Sequence, residues 1–207
     1  MDFDTLYEQM RGFEQSLDRT LLQGVYIVVG LYGHGFTRLT KKEWDLEQPF
    51  DITLLHLMDC RFRINYGYTQ NDEISLLFHI EDTFARKERK HLFILASEAY
   101  VAFYMKAGRF AVFDCRLISL PNINCFRWRC EDSRRNSLNG YCYRLLRHKG
   151  VLPTEAWKCV SSISISEKNE MLLNYNDLPS WQKRGVGMSF RHVEKRFNPI
   201  RGNKMYA

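Results

Sequence analysis

Apolar and polar positions change rhythm several times along the chain, and each change marks an element. Leu6, Met10, Phe13, Leu17 and Leu21 recur near helical spacing, which predicts a helix over 6–22 stopped by Gly24. VYIVV (25–29) is a β-branched run between Gly24 and Gly30 and predicts a buried strand. DITLLHLMDC (51–60) fits a short helix with Asp51 near its start. Phe62–Tyr68 and Ile74–Phe78 flank the turn-like TQND at 69–72, the pattern of a hairpin. A long helix is expected over 84–107, a strand over 110–117, and helices over 130–148 and 154–160. From the first strand onward the order is βαββαβ, that of a ferredoxin-like α+β fold: an antiparallel sheet with helices packed on one face. Further helices follow it. The expected division is an N-terminal helix (1–24), a catalytic-type α+β domain (25–120), a C-terminal helical region (121–187) and a tail (188–207).

Composition narrows the class. Of 207 residues, 45% are hydrophobic and 14% aromatic, enough for a sizeable core and too many for a disordered or fibrous chain. No run of eighteen apolar residues exists, so no membrane span is expected. The N-terminus is acidic and amphipathic, unlike a signal peptide, which points to a cytoplasmic location. The net charge of +6 is concentrated at the end: from Gln182 onward seven basic residues stand against Glu194 alone. Such a segment is either a polyanion contact or a solvated tail. The six cysteines form no C-x-x-C pair, and reduced, partly buried thiols are the expected state.

Three segments have chemical potential. Gly30-Leu-Tyr-Gly-His-Gly35 follows a strand, and a glycine-rich turn lets backbone N–H groups approach a phosphate; a plain tight turn is the alternative. Asn71-Asp72-Glu73 lies at the hairpin tip. Adjacent carboxylates on a strand face opposite ways, so only one should serve a given site. With a partner carboxylate from the first strand it suits metal-assisted phosphoryl transfer, and without one it is an Asx-type turn. Between Phe126 and Lys149, seven basic residues face only Glu131 and Asp132, with Trp128, Tyr141 and Tyr143 interleaved. That mixture suits triphosphate or RNA contact, or else a solvated helix face.

Five motifs then occur in a recognisable order: YGYTQNDEISLLF (66–78), AVFDCR (111–116), FRWRCEDSRRNSLNGYCY (126–143), EKNEMLL (167–173) and NYNDLPSWQKRGVG (174–187). Together with HGFTRLTKKEW (34–44) and QPFD (48–51), the chain resembles the tRNA-His guanylyltransferase family, its bacterial-type Thg1-like branch included, from about Val25 to Gly187. The resemblance implies a polymerase-type palm and a nucleotidyltransferase that extends a tRNA at its 5′ end in the 3′-to-5′ direction. The implied substrates are ATP, which activates a 5′-monophosphate, and GTP, joined through its 3′-hydroxyl. The implied cofactor is a pair of Mg2+ ions, and the implied assembly a homotetramer.

The same resemblance assigns residues. Asp72 matches a metal aspartate and Glu73 the glutamate beside it, the two catalytic candidates; Gly33 matches a carbonyl ligand. His34, Gly35, Phe36 and Thr37 match the loop under the incoming nucleotide, with Asn71 beside Asp72. Lys168 and Asn176 fall in motifs near bound triphosphate. Arg129, Asp132, Arg134, Asn136 and Asn139 match the helix implied to contact RNA or triphosphate. The departures are equally specific. The family reads R-x-D-G where this chain has Gly30-Leu31-Tyr32-Gly33, so Tyr32 stands in the place of the first metal aspartate. A phenol is a poor magnesium ligand beside a carboxylate. Asn71 replaces a serine and Cys130 a glutamine. A family member that binds nucleotide or RNA without turnover is therefore the alternative reading.

Overall fold

The computed structural model describes residues 2–36, 48–81, 86–173 and 184–190. Five strands form one antiparallel sheet: β1 (Tyr26–His34), β2 (Ile64–Gln70), β3 (Glu73–Phe78), β4 (Val112–Leu120) and β5 (Val186–Met188). Their spatial order is β4-β1-β3-β2-β5. The first four strands are arranged as expected for the βαββαβ order. The described helices are α1 (Phe3–Gln15), α2 (Gln48–Met58), α3 (Glu88–Ala107), α4 (Asn124–His148), α5 (Pro153–Ser162) and α6 (Ile165–Leu173).

α2 and α3 cover one face of the sheet. Strand alternation sends Ile27, Val29 and Leu31 of β1 and Ile74, Leu76 and Phe78 of β3 to that side, where they meet Leu54, Leu57, Leu95 and Phe103. Phe36 closes the end of this core, with ring centroids 5.1 Å from Phe50 and 5.2 Å from Phe103. The opposite face of the sheet is covered by the start of α4, where Phe126 packs with Val28, Tyr68 and Leu77. Further along, α4 joins α5 and α6 in a separate cluster of Tyr141, Cys142, Leu145, Val160 and Leu172.

Several boundaries differ from the sequence reading. α1 ends at Gln15, seven residues short of the expected limit, because the chain beyond it is claimed by the start of α3. Asp18 pairs with Lys87 at 2.9 Å and Arg89 at 2.7 Å, Thr20 bridges Lys87, and the Leu21 N–H donates to the Arg86 carbonyl at 2.9 Å. The buried Arg86 guanidinium also donates to the carbonyls of Leu21, Val25 and Ile80. Such carbonyl-rich pairing outcompetes a further helical turn. The glycine-rich segment is a second correction. Gly30 to His34 are not a loop but the continuation of β1, paired with β3 as far as Tyr32↔Glu73 and with β4 as far as His34↔Val112. Only Gly35, at φ 71°, has the turn conformation. β5 was not expected at all; it returns from beyond the helices to pair with β2 at Gly67–Thr69. No helix among the described residues is long and apolar enough to cross a membrane.

Candidate nucleotide site at the β1 end and the β2–β3 turn

The polar face of the sheet carries the candidate chemistry, and the register shows how. Tyr32 pairs with Glu73 on one side and Asp114 on the other, and one level down Gly30 pairs with Ser75 and Arg116. These six positions share the face that α4 crosses. Arg129, on the first turns of α4, reaches down between them. Its Nε donates to Ser75 Oγ at 3.2 Å and its Nη2 donates to the Tyr32 hydroxyl. Its guanidinium carbon lies 5.1 Å from the Tyr32 ring centroid, and that of Arg116 lies 4.9 Å away, so the ring sits against two cations. Arg116 is itself held by Asp114 at 2.8 Å.

Two glycines make room for this arrangement. A Cβ on Gly30 would stand 2.6 Å from Arg129 Nη2 and 3.0 Å from the Tyr32 ring. A Cβ on Gly33 would stand 2.2 Å from the Phe36 ring, on the core side. Gly30 and Tyr32 are thus one substitution in physical terms: the small residue admits the ring and guanidinium that its neighbour recruits.

The hairpin tip is a two-residue turn. Asn71 has φ 58°, which asparagine tolerates far better than serine does. Asn71 Nδ2 donates to Asp72 Oδ1 at 2.5 Å, and the Asp72 carbonyl accepts the Gly33 N–H at 2.8 Å, fixing the turn against the end of β1. Asp72 lies in the turn, outside the strand alternation on which the expectation for the two carboxylates rests, whereas Glu73 begins β3. Both carboxyls feel α4: Glu73 is hydrogen-bonded by Ser133 and lies near Arg129, and Asp72 lies within the field of Arg144. Burial pushes both carboxyls above their usual range, against the opposing pull of these partners.

The remaining candidates are spread around this centre. Gly33, His34, Gly35 and Phe36 end β1 and begin the next turn, with His34 and Gly35 exposed and Phe36 committed to the core. Thr37 and Asn176 lie outside the described residues. Asp132 and Arg134, with Gln70, Trp128, Tyr141 and Asn169, line a cavity of about 500 Å³ between α4, α6 and the end of β2. Asp132 also pairs with Arg135 at 2.9 Å, and Arg134 with Glu131 at 3.3 Å. Asn136 is exposed, whereas Asn139 Oδ1 is buried without a partner. Lys168 is buried on α6, its carbonyl accepting from Cys142 Sγ at 3.6 Å. The sequence reading missed the role of Ser75, Ser133 and Arg116. A serine at the strand position two past a site carboxylate was the available signal for Ser75.

A pair of magnesium ions needs closely grouped oxygen donors, chiefly carboxylates. Among the described residues no three His, Cys, Asp or Glu side chains are grouped to hold an ion. The position of the first carboxylate is taken by a phenol whose hydroxyl already accepts from a guanidinium. The protein donors present do not fit the two-ion arrangement that the resemblance implies.

Comparison with known proteins places this geometry. The family model for tRNAHis guanylyltransferase (Thg1) matches residues 7–121. The chain belongs to the tRNA-His guanylyltransferase family. It is 30% identical to the tRNA(His) guanylyltransferase of Candida glabrata over 210 residues, covering 86% of this chain and 87% of that protein. Two solved structures of a bacterial tRNA(HIS) guanylyltransferase (Thg1)-like protein resemble the fold at a TM-score of 0.70 each. The complex with ATP is 25% identical over 89% of this chain and 88% of that one. The complex with GTP is 26% identical over 93% and 87%. The family is one of nucleotidyltransferases, and the two bacterial structures share this chain's overall fold.

Proposed function

We propose that this protein binds a nucleoside triphosphate against the end of β1 and the β2–β3 turn and adds a guanylate to the 5′ end of a tRNA. The observation that carries this reading is the pair Asp72–Glu73: two desolvated carboxyls at the tip of a palm hairpin, facing the basic helix α4. The bound ATP and GTP of the bacterial Thg1-like structures support triphosphates as the ligands. The cavity beside the turn has the matching chemistry, with Trp128 and Tyr141 able to stack a base and Arg134 to meet phosphate.

In the joining step the 3′-oxygen of GTP forms a bond to the activated 5′-phosphorus of the tRNA, and the activating nucleotide or pyrophosphate leaves. The hydroxyl proton must go to a base. A carboxylate raised by burial is a better proton acceptor than an exposed one, which favours Asp72 or Glu73 for that part. The basic residues of α4 and the tail beyond 188 would hold the RNA phosphates. Assembly into a homo-oligomer would cover the apolar side of α1, where Phe3 and Phe13 are 75% and 72% exposed in the single chain.

One observation favours a second reading, that the chain binds without turning over: a phenol–guanidinium pair occupies the place of a metal carboxylate. Incubation with labelled GTP, ATP and 5′-monophosphorylated tRNA, resolved on a denaturing gel, separates the two. Transfer of label to RNA, lost in Asp72→Ala, supports the enzyme. Triphosphate binding with no transfer supports the second reading, and the absence of both would remove the nucleotide site altogether.

A further inference from the structure

Tyr32, Arg129, Ser75 and Gly30 come from three elements and up to 99 positions apart, yet they form one fitted unit. Ser75 holds the guanidinium at Nε, Tyr32 holds it at Nη2, and the missing side chain of Gly30 leaves the space that Nη2 fills. The guanidinium is half-buried and permanently charged. Glu73, the cross-strand partner of Tyr32, lies in its field. Arg116 closes the other side of the ring and is neutralised by Asp114. Arg129 is therefore the cation that balances Glu73.

We infer that Arg129 is a resident cation standing in for one of two divalent ions, so that the site takes a single divalent ion with its triphosphate. The inference rests on the reading of the β2–β3 turn as the nucleotide centre. A divalent ion beside Tyr32 would meet a phenol as ligand and a fixed positive charge as neighbour, and both oppose it. Asp72 lies outside the Tyr32–Arg129–Ser75 network, its carboxyl bonded by Asn71. It remains available to an ion that arrives carrying phosphate oxygens of its own. Position 129 alone cannot explain the arrangement, because Tyr32 and Gly30 are both needed to seat the guanidinium. The three residues act as a set.

Manganese provides the test, its free form counted by electron paramagnetic resonance, with and without GTP. The full chain should bind one Mn2+ per bound GTP; two would overturn the inference. Without nucleotide, Tyr32→Asp alone should raise Mn2+ affinity less than threefold, because the new carboxylate pairs with Arg129. Tyr32→Asp with Arg129→Gln should raise it tenfold or more. Tyr32→Asp with Arg129→Lys, which restores a charge, should fall back to the smaller gain. Equal gains in all three variants would overturn the inference, since charge at 129 would then be irrelevant. Circular dichroism establishes that each variant is folded, and the Lys and Gln variants substitute for each other as the informative comparison with Tyr32→Asp if one is not. A chain that binds no GTP would refute the nucleotide centre, while the nucleotide-free arm still decides whether Arg129 excludes the ion.

Discussion

The two faces of the central sheet are built on opposite terms, though they share the same strands. On the α2–α3 face Ile27, Val29 and Leu31 of β1 and Ile74, Leu76 and Phe78 of β3 are apolar and almost fully buried. On the α4 face the alternate positions of those strands include Gly30, Tyr32, Glu73 and Ser75, and hydrogen bonds and charge hold the layers together as much as apolar contact. The first face would accept many aliphatic combinations of the right volume. The second depends on particular atoms meeting. One face makes the sheet possible and the other makes it this protein's sheet.

The largest expected effect lies on the dry face. Phe103→Ala removes a ring fully buried among Phe36, Phe50 and Phe113, and should cost about 3–5 kcal/mol by urea denaturation. A loss below about 1 kcal/mol would mean that this face is not the main core. Next comes Gly30→Ala, expected to cost about 1–3 kcal/mol by overpacking against Arg129 and Tyr32. The same change made in an Arg129→Ala background should cost at least about 1 kcal/mol less, a coupling that a double-mutant cycle measures directly. Strict additivity would separate Gly30 from the guanidinium and blur the contrast between the faces.

A smaller effect of opposite sign is expected at the turn. Burial raises the Asp72 carboxyl above its ordinary 3.8, so the folded chain holds that proton more tightly than the unfolded one. Stability from this group is therefore greatest below about that value and falls as pH climbs through the folded pKa. Asp72→Asn should then stabilise the protein by about 0.5–1 kcal/mol at pH 7, with the gain vanishing towards pH 4. Melting curves across pH 4–7 show whether the two proteins converge in acid. The slightest effect concerns the thiols. Burial pushes Cys130 up to about 11 and Cys115 up to about 12, so both should resist alkylation at pH 8 until the chain unfolds. Rapid labelling of either in the native state would show the sheet to be more open than its packing implies.

The sequence was most legible where local pattern decides structure. The α2 and β3 segments follow from periodicity, whereas α4 starts at Asn124 rather than 130, and the turn expected at 69–72 narrows to Asn71–Asp72 because Thr69 and Gln70 pair with Ile74 and Glu73. α1 was read too long because the pairing of Asp18, Thr20 and Leu21 with residues 86–89 is invisible to a helical wheel. β1 was read too short because glycine is a poor strand residue by propensity. Here Gly30 and Gly33 are retained by what crosses them, a guanidinium on one face and a ring on the other. Within the candidate site, Asp72 and Glu73 were singled out by the resemblance, the residues alone reading equally as an Asx-type turn. Arg129 was singled out by the resemblance as an RNA or triphosphate contact, and nothing in the spacing of α4 says that it turns inward to Tyr32 instead. That fact belongs to two positions 97 residues apart.

The order of the strands has a consequence for how the chain is made. β4 lies at one edge of the sheet and β5 at the other, so the helices between them leave from one side and return to the opposite one. Four strands can pair as soon as residue 120 has been synthesised. Until Val186–Met188 arrive, the outer edge of β2 keeps unpaired backbone groups at Gly67–Thr69. A nascent chain that pauses within α4 to α6 therefore exposes a strand edge ready to pair with another chain. The Tyr68 hydroxyl, which donates to the Arg184 carbonyl at 2.8 Å in the finished fold, waits on Arg184 and β5 before that edge is closed.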